Sequence, residues 1–204
     1  MSLHEDTIAL LRSREVQRIN FRFDSIRVYG SGFDAVARAI EHGRIQIAGM
    51  VSRVPGALLC QYAHSVGPNR VNRLLIDTAL DFNAAFEAQL VVHEATHALM
   101  DYHATPLGLL DSEATAYVAG AFYCVVKNVS LDDVMRSFNS LRPADRDREM
   151  ETVYMLAYGI AREIATTRGG YAVAAANVAS LKQTIAQTRG YRRRATETVD
   201  YDGL

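Results

Sequence analysis

The sequence predicts an α+β fold in which a small, mostly antiparallel sheet packs against helices. Two observations support this prediction. Short β-branched and aliphatic stretches dominate the chain up to Asp77, and almost everything after Thr78 shows the apolar spacing of helices. With 204 residues, 49% of them hydrophobic, the chain can bury the core of one domain. We expect that domain to cover residues 1–188.

The first half of the chain predicts strands and one helix. Apolar residues alternate over residues 19–28, which is typical of a half-buried strand or a strand pair. Residues 33–42 have helical spacing, and Gly43 stands where a helix C-cap favours glycine. Turn residues at Pro55-Gly56 and Gly67-Pro68-Asn69 separate three later runs, which predict an antiparallel meander: Ile45–Met50, Ala57–Ala63 and Val71–Ile76.

The second half predicts a helical C-terminal region and a tail. The expected helices cover residues 81–101, 111–128, 131–140, 146–166 and 171–188. Residues 189–204 contain three consecutive arginines, Arg192 to Arg194, followed by acidic residues and few apolar ones. Because such a segment offers little to a core, we predict a flexible tail there.

Composition excludes several classes of function. The formal net charge of −1 gives no overall field for nucleic acid. No apolar run reaches the roughly 18 residues that span a bilayer, and the N-terminus lacks the pattern of a signal peptide. Cys60 and Cys124 lie in separate apolar runs, which favours buried free thiols and a reducing compartment. We therefore expect a cytoplasmic protein with no membrane or nucleic-acid partner.

One motif predicts a metal site with a catalytic base. His93, Glu94 and His97 form H-E-x-x-H within the predicted helix 81–101. Residues four apart lie on one helical face, so both imidazoles can bind one Zn²⁺ ion. The glutamate between them can reach a metal-activated water as a general base without binding the metal.

A catalytic zinc site needs a third protein ligand and an open position. Glu113 is the first candidate, because it lies near the start of the next predicted helix, which can fold back on the first. His103 is the second, six residues after His97, although Met100 stands where a chain reversal usually requires glycine. Other carboxylates remain open as third choices: Asp101, Asp111 and Glu163.

Tyr117 is a candidate catalytic residue. It lies one helical turn after Glu113, so its hydroxyl could polarise a scissile carbonyl or stabilise an oxyanion. The alternative is a core tyrosine whose hydroxyl binds a backbone group.

The run VHEATHALMDYH…LLDSEATAYVAGAFY, within Leu90 to Tyr123, resembles the core of the gluzincins. These zinc metallopeptidases have a glutamate as third ligand, and the likeness is to small bacterial forms such as the ImmA/IrrE-like group. The resemblance implies His93, His97 and Glu113 as zinc ligands, Glu94 as base and a peptide bond as substrate. Tyr117 stands where larger gluzincins often have an aspartate that orients a ligating histidine.

We therefore expect a minimal zincin-like domain and a zinc metallopeptidase acting on a peptide or protein. The edge of the sheet near the metal could bind an extended peptide by strand addition. Two alternatives remain: a non-catalytic zinc-binding or protein-binding module on the same scaffold, and a hydrolase of a non-peptide amide or ester.

Overall fold

The α+β class is confirmed in the computed structural model, which describes residues 2–51, 59–65, 71–104, 106–141, 148–167 and 171–203. The helices of these residues are α1 (Leu3–Leu11), α2 (Arg14–Gln17), α3 (Gly30–Glu41), α4 (Ala85–Tyr102), α5 (Leu109–Val126), α6 (Leu131–Leu141), α7 (Arg148–Thr166) and α8 (Ala175–Gln187). The strands are β1 (Asn20–Phe23), β2 (Ile26–Tyr29), β3 (Ile45–Met50), β4 (Cys60–Ala63), β5 (Asn72–Asp77), β6 (Leu107–Gly108), β7 (Tyr171–Ala172) and β8 (Thr198–Val199).

The predicted strand pair and the helix after it are confirmed. β1 and β2 form an antiparallel hairpin whose two-residue turn includes Asp24 at a φ of 53°. α3 ends at Glu41, and Gly43, two residues later, has a φ of 72°. The Gly43 amide donates to the carbonyl of Ile40, and the Arg44 amide donates to that of Ala39. This is the Schellman arrangement that favours glycine after a helix.

The predicted antiparallel meander is wrong. The sheet has the order β3-β5-β4, with β3 parallel to β5 and β4 antiparallel to it, so the small sheets are mixed. The most buried of the three strands, β5, takes the centre, as expected for a strand that needs neighbours on both sides. The turn residues that suggested a meander, Pro55-Gly56 and Gly67-Pro68-Asn69, lie outside the described residues.

The helical C-terminal half is present, with two corrections. Residues 171–172, which we predicted to begin a helix, form β7 and pair in parallel with β1. Residues 188–203, which we name the C-terminal strap, pack on the domain, whereas we predicted a flexible tail from residue 189. Within the strap, β8 pairs with β6, and Tyr201 is 4% exposed. No helix among the described segments is both long and apolar enough to cross a membrane.

The core is organised around α4 and α5, which pack as an antiparallel pair because only a short connection joins them. Gly120 of α5 faces Gln89 of α4, and a Cβ at Gly120 would lie 2.4 Å from Gln89 Oε1 and 3.0 Å from its carbonyl oxygen. The missing side chain therefore lets the two helices approach closely. α7 covers the other side of α5, and β4 packs against α4.

Replacing Gly120 with alanine tests this close approach. The added methyl group has to displace Gln89, and overpacking of this kind costs about 1–3 kcal/mol, more than the roughly 1 kcal/mol gained in helix propensity. We expect Gly120→Ala to lower the free energy of unfolding in a urea titration. Gly159→Ala is the matched control, because Gly159 is exposed in α7 with no atom within 4 Å of an added Cβ. That control should gain about 0.5–1 kcal/mol. Equal effects of the two substitutions would contradict the close packing.

Candidate metal centre

Two histidines of α4 face each other one helical turn apart. His93 and His97 are each 8% exposed, and their Nε2 atoms lie 3.3 Å apart. The spacing of four residues places both rings on the face of α4 that packs against α5. Two imidazole nitrogens therefore converge on one point inside the protein.

Glu113 of α5 completes a group of three. Its Oε2 lies 3.6 Å from His93 Nε2, and its Oε1 lies 3.8 Å from His97 Nε2. The ligand atoms of the three residues all lie within 4.8 Å of one another, so this group could hold a metal ion. Adjacent ligands in a tetrahedral zinc site, with bonds of about 2.0–2.2 Å, are about 3.3–3.6 Å apart. The three side chains therefore fit a divalent cation after small adjustments.

Three of the other proposed ligands have partners away from this group. His103 is the C-cap residue of α4, is exposed, and lies with its Nε2 3.4 Å from the hydroxyl of Tyr29. Asp111 accepts a hydrogen bond of 2.6 Å from Lys182 Nζ. Glu163 of α7 accepts hydrogen bonds at the surface. The structure thus groups Glu113, and none of these three, with His93 and His97.

Asp101, the remaining candidate ligand, forms hydrogen bonds that connect elements of the fold. It is fully buried near the end of α4, and its Oδ2 accepts from Tyr62 Oη at 2.5 Å and from Asn72 Nδ2 at 2.9 Å. Its Oδ1 accepts from the amide of Gly203 at 3.2 Å. One carboxylate therefore joins α4 to β4, to β5 and to the C-terminal strap.

Glu94 lies beside the three possible ligands and is held by the sheet. Its Oε1 is 3.9 Å from His93 Nε2, and its Oε2 accepts a hydrogen bond of 2.7 Å from the backbone amide of Tyr62. This amide lies on the edge of β4 that faces away from β5. The edge strand thus orients the carboxylate from outside the helix.

Burial and mutual charge shift the pKa values of these groups. Burial raises the pKa of Glu94 to about 7 and lowers that of His97 to about 4. Burial would also raise the pKa of Glu113, but the charge of His97 and a hydrogen bond with His93 outweigh it and lower that pKa to about 2. For His93, burial is outweighed by Glu113 and Glu94, which raise its pKa. Glu113 is therefore a carboxylate, and His97 a neutral imidazole, near neutral pH.

Tyr117 supports the site from one helical turn beyond Glu113. Its ring meets that of His93 edge to face, with centroids 4.6 Å apart. Tyr191, which lines the same cavity, donates from its hydroxyl to Glu113 Oε2 at 2.9 Å. Tyr117 lines the cavity at the site, as a catalytic role requires.

Sequence analysis missed three polar residues of the site. Ser112 Oγ and Tyr201 Oη lie 2.8 and 3.2 Å from His97 Nδ1, and Tyr191 binds Glu113. Ser112 immediately precedes Glu113, so a helical wheel could have suggested it. The only signal for the two tyrosines was the presence of aromatic residues in an otherwise polar tail.

A cavity of about 680 Å³ opens on these residues, a volume within the usual range for small-molecule and peptide sites. Phe86, Leu90 and Phe138 line one part of it, and β4 and the C-terminal strap line another. His64, which follows β4, also lines the cavity and meets the ring of Tyr201 edge to face. The possible metal ligands and Glu94 are therefore accessible from this cavity.

Comparisons with known proteins give no relative. No protein-family model matches the chain, and neither a curated protein nor a solved structure matches it significantly. The function must therefore be argued from the site itself.

Substituting Asp101 tests whether its carboxylate has a structural role or binds the metal. Asp101→Ala leaves the buried hydroxyl of Tyr62 and amide of Asn72 without their acceptor, so we expect a loss of about 2–4 kcal/mol in the free energy of unfolding. At saturating zinc, measured by inductively coupled plasma spectrometry after gel filtration, the variant should still bind one ion per chain. Glu113→Ala should bind zinc much more weakly. The reverse pattern would make Asp101 the ligand.

Proposed function

We propose that the protein is a zinc metallopeptidase, a hydrolase of peptide bonds with a minimal zincin-like domain of the gluzincin type. The observation that supports this most directly is the convergence of His93, His97 and Glu113 on one point, with the Glu94 carboxylate beside them in a cavity. Two imidazoles and one carboxylate are the protein ligand set of known catalytic zinc sites, which keep one position for water or substrate.

The chemistry of these groups favours a cation over a purely structural cluster. Two carboxylates and two imidazoles lie together with little access to solvent, and uncompensated buried charge is costly. A Zn²⁺ ion held by His93, His97 and Glu113 would supply compensating charge, a Lewis acid for a carbonyl group and a water acidic enough to react near neutral pH. Metal binding requires neutral imidazoles and ionised carboxylates, so the ion would displace any proton held between His93 and Glu113.

Glu94 is the proposed general base. Its carboxylate accepts a proton from the attacking water and delivers it to the leaving amine nitrogen. Its position supports this role, because the carboxylate lies beside His93 and lines the cavity. The amide of Tyr62 binds Oε2 and leaves Oε1, the oxygen nearer His93, for proton transfer.

A peptide substrate is favoured by the open edge of β4. β4 is the edge strand of the described β3-β5-β4 sheet, and its backbone alternates between bonding β5 and facing away from it. The Tyr62 amide bonds Glu94, so the free edge of β4 faces the site. Cys60 lies two residues earlier on the strand, and its amide and carbonyl groups therefore face the site as well. An extended peptide could add to this edge next to Glu94.

We also propose that the enzyme works in the cytoplasm. Both cysteines of the chain are buried free thiols, as the sequence predicted, and a reducing compartment preserves that state. The proposed partner is a peptide or protein substrate, and no nucleic-acid or membrane partner is invoked.

Glu94→Gln separates catalysis from metal binding. The amide keeps the size of the side chain but cannot act as a base, so we expect hydrolysis of a peptide library to fall by at least about 100-fold while zinc stays at one ion per chain. His93→Ala should lose both zinc and activity. Cleavage products are measured by mass spectrometry.

Glu163→Gln is the matched control, since it removes a carboxylate of α7 outside the cavity lining. It should retain both zinc and activity. Undiminished hydrolysis by Glu94→Gln would reject the general base. A wild-type chain that binds zinc tightly but cleaves no peptide would favour the non-catalytic alternative or a non-peptide amide or ester.

A further inference from the structure

The C-terminal strap crosses the end of the α4–α5 pair beside the possible ligands. Its strand β8 pairs with β6, which lies in the connection between the two helices. The amide of Leu109 donates to the carbonyl of Glu197 at 2.8 Å, and the amide of Gly203 donates to Asp101 Oδ1. Backbone hydrogen bonds therefore hold the strap in register with the first turn of α5 and the last turn of α4.

Tyr201 of the C-terminal strap contacts Nδ1 of His97, the ring nitrogen that is not the proposed metal ligand. Tyr201 is 4% exposed, and its hydroxyl lies 2.8 Å from Ser112 Oγ and 3.2 Å from His97 Nδ1. Ser112 Oγ lies 2.8 Å from the same nitrogen. A histidine that binds metal through Nε2 carries its proton on Nδ1, and an acceptor there fixes the tautomer and the ring orientation. The Ser112–Tyr201 pair provides such acceptors.

Through Tyr191, the strap reaches the proposed third ligand. The Tyr191 hydroxyl donates to Glu113 Oε2 at 2.9 Å. This bond restricts rotation of the carboxylate and holds Oε1 on the side of His97, 3.8 Å from its Nε2. The second ligand is thus also held from the C-terminal segment.

We infer that the C-terminal strap is part of the metal centre, with Tyr191 and Tyr201 as positioning residues that hold Glu113 and His97 in their ligating orientations. This inference rests on the proposed zinc site and extends it to a segment some 80 to 100 residues away in sequence. Since partners of ligating residues typically contribute 10- to 100-fold to metal affinity, zinc binding depends on the strap.

Conservative tyrosine substitutions test the inference while keeping the fold. Tyr191→Phe and Tyr201→Phe retain the buried rings and remove only the hydroxyls. Each should raise the zinc dissociation constant by about 10- to 100-fold, measured by competition with a chromophoric chelator. Tyr171→Phe is the matched control, because its hydroxyl binds Glu163 at the surface. That variant should bind zinc as the wild type does.

Two further measurements distinguish positioning from general stability. The gain in urea midpoint on adding zinc should be smaller in the two variants than in the wild type. With Co²⁺ in place of zinc, their visible absorption bands should differ from those of the wild type in intensity and position. A purely structural role would lower the midpoint in EDTA but leave both the gain on adding zinc and the cobalt spectrum unchanged.

A double-mutant cycle assigns each tyrosine to its ligand. In a Glu113→Ala background, Tyr191→Phe should cause no further loss of zinc affinity, whereas Tyr201→Phe should still weaken binding by about 10-fold or more. Wild-type affinity in both single variants would overturn the inference and leave the proposed function standing. A wild-type chain that binds no zinc would overturn both.

Discussion

The antiparallel packing of α4 against α5 is the constraint on which the structure of the site depends. It sets two imidazoles of one helix against a carboxylate of the other at distances of 3.6 and 3.8 Å. Gly120 makes the close approach possible, because any side chain there would meet Gln89. A group of buried ionisable side chains at such a contact would weaken an ordinary core, and the proposed divalent cation would remove that cost. The helix packing accounts for the convergence of these side chains, and the proposed metal would account for their being ionisable.

Elements remote in sequence hold the functional groups at this contact. β4 orients Glu94 through one backbone amide, and the C-terminal strap holds Glu113 and His97 through two tyrosine hydroxyls. Asp101 ties the same elements together, since it binds β4, β5 and the strap at once. The site is thus an assembly of the whole domain, although its motif occupies five residues.

Sequence reasoning succeeded where local periodicity decides the structure. The spacing of apolar residues located α4 to α7, and the four-residue spacing of His93 and His97 placed both on one face. A short connection to the next helix made Glu113 the first choice of third ligand. Pairing across long distances was not predictable: β3 pairs with β5 because β5 needs two neighbours, and nothing local reveals this. Likewise, Tyr191 and Tyr201 lie in a segment whose composition indicates disorder, and its tertiary contacts could not be read from the sequence.

Zinc K-edge X-ray absorption of the zinc-loaded protein tests the central claim most directly. The account predicts one zinc per chain with four or five nitrogen and oxygen ligands at about 2.0–2.2 Å, and outer-shell scattering from two imidazole rings. Sulfur ligation at about 2.3 Å, which would implicate the cavity-lining Cys60, or a hydrated ion without imidazole scattering, would contradict it.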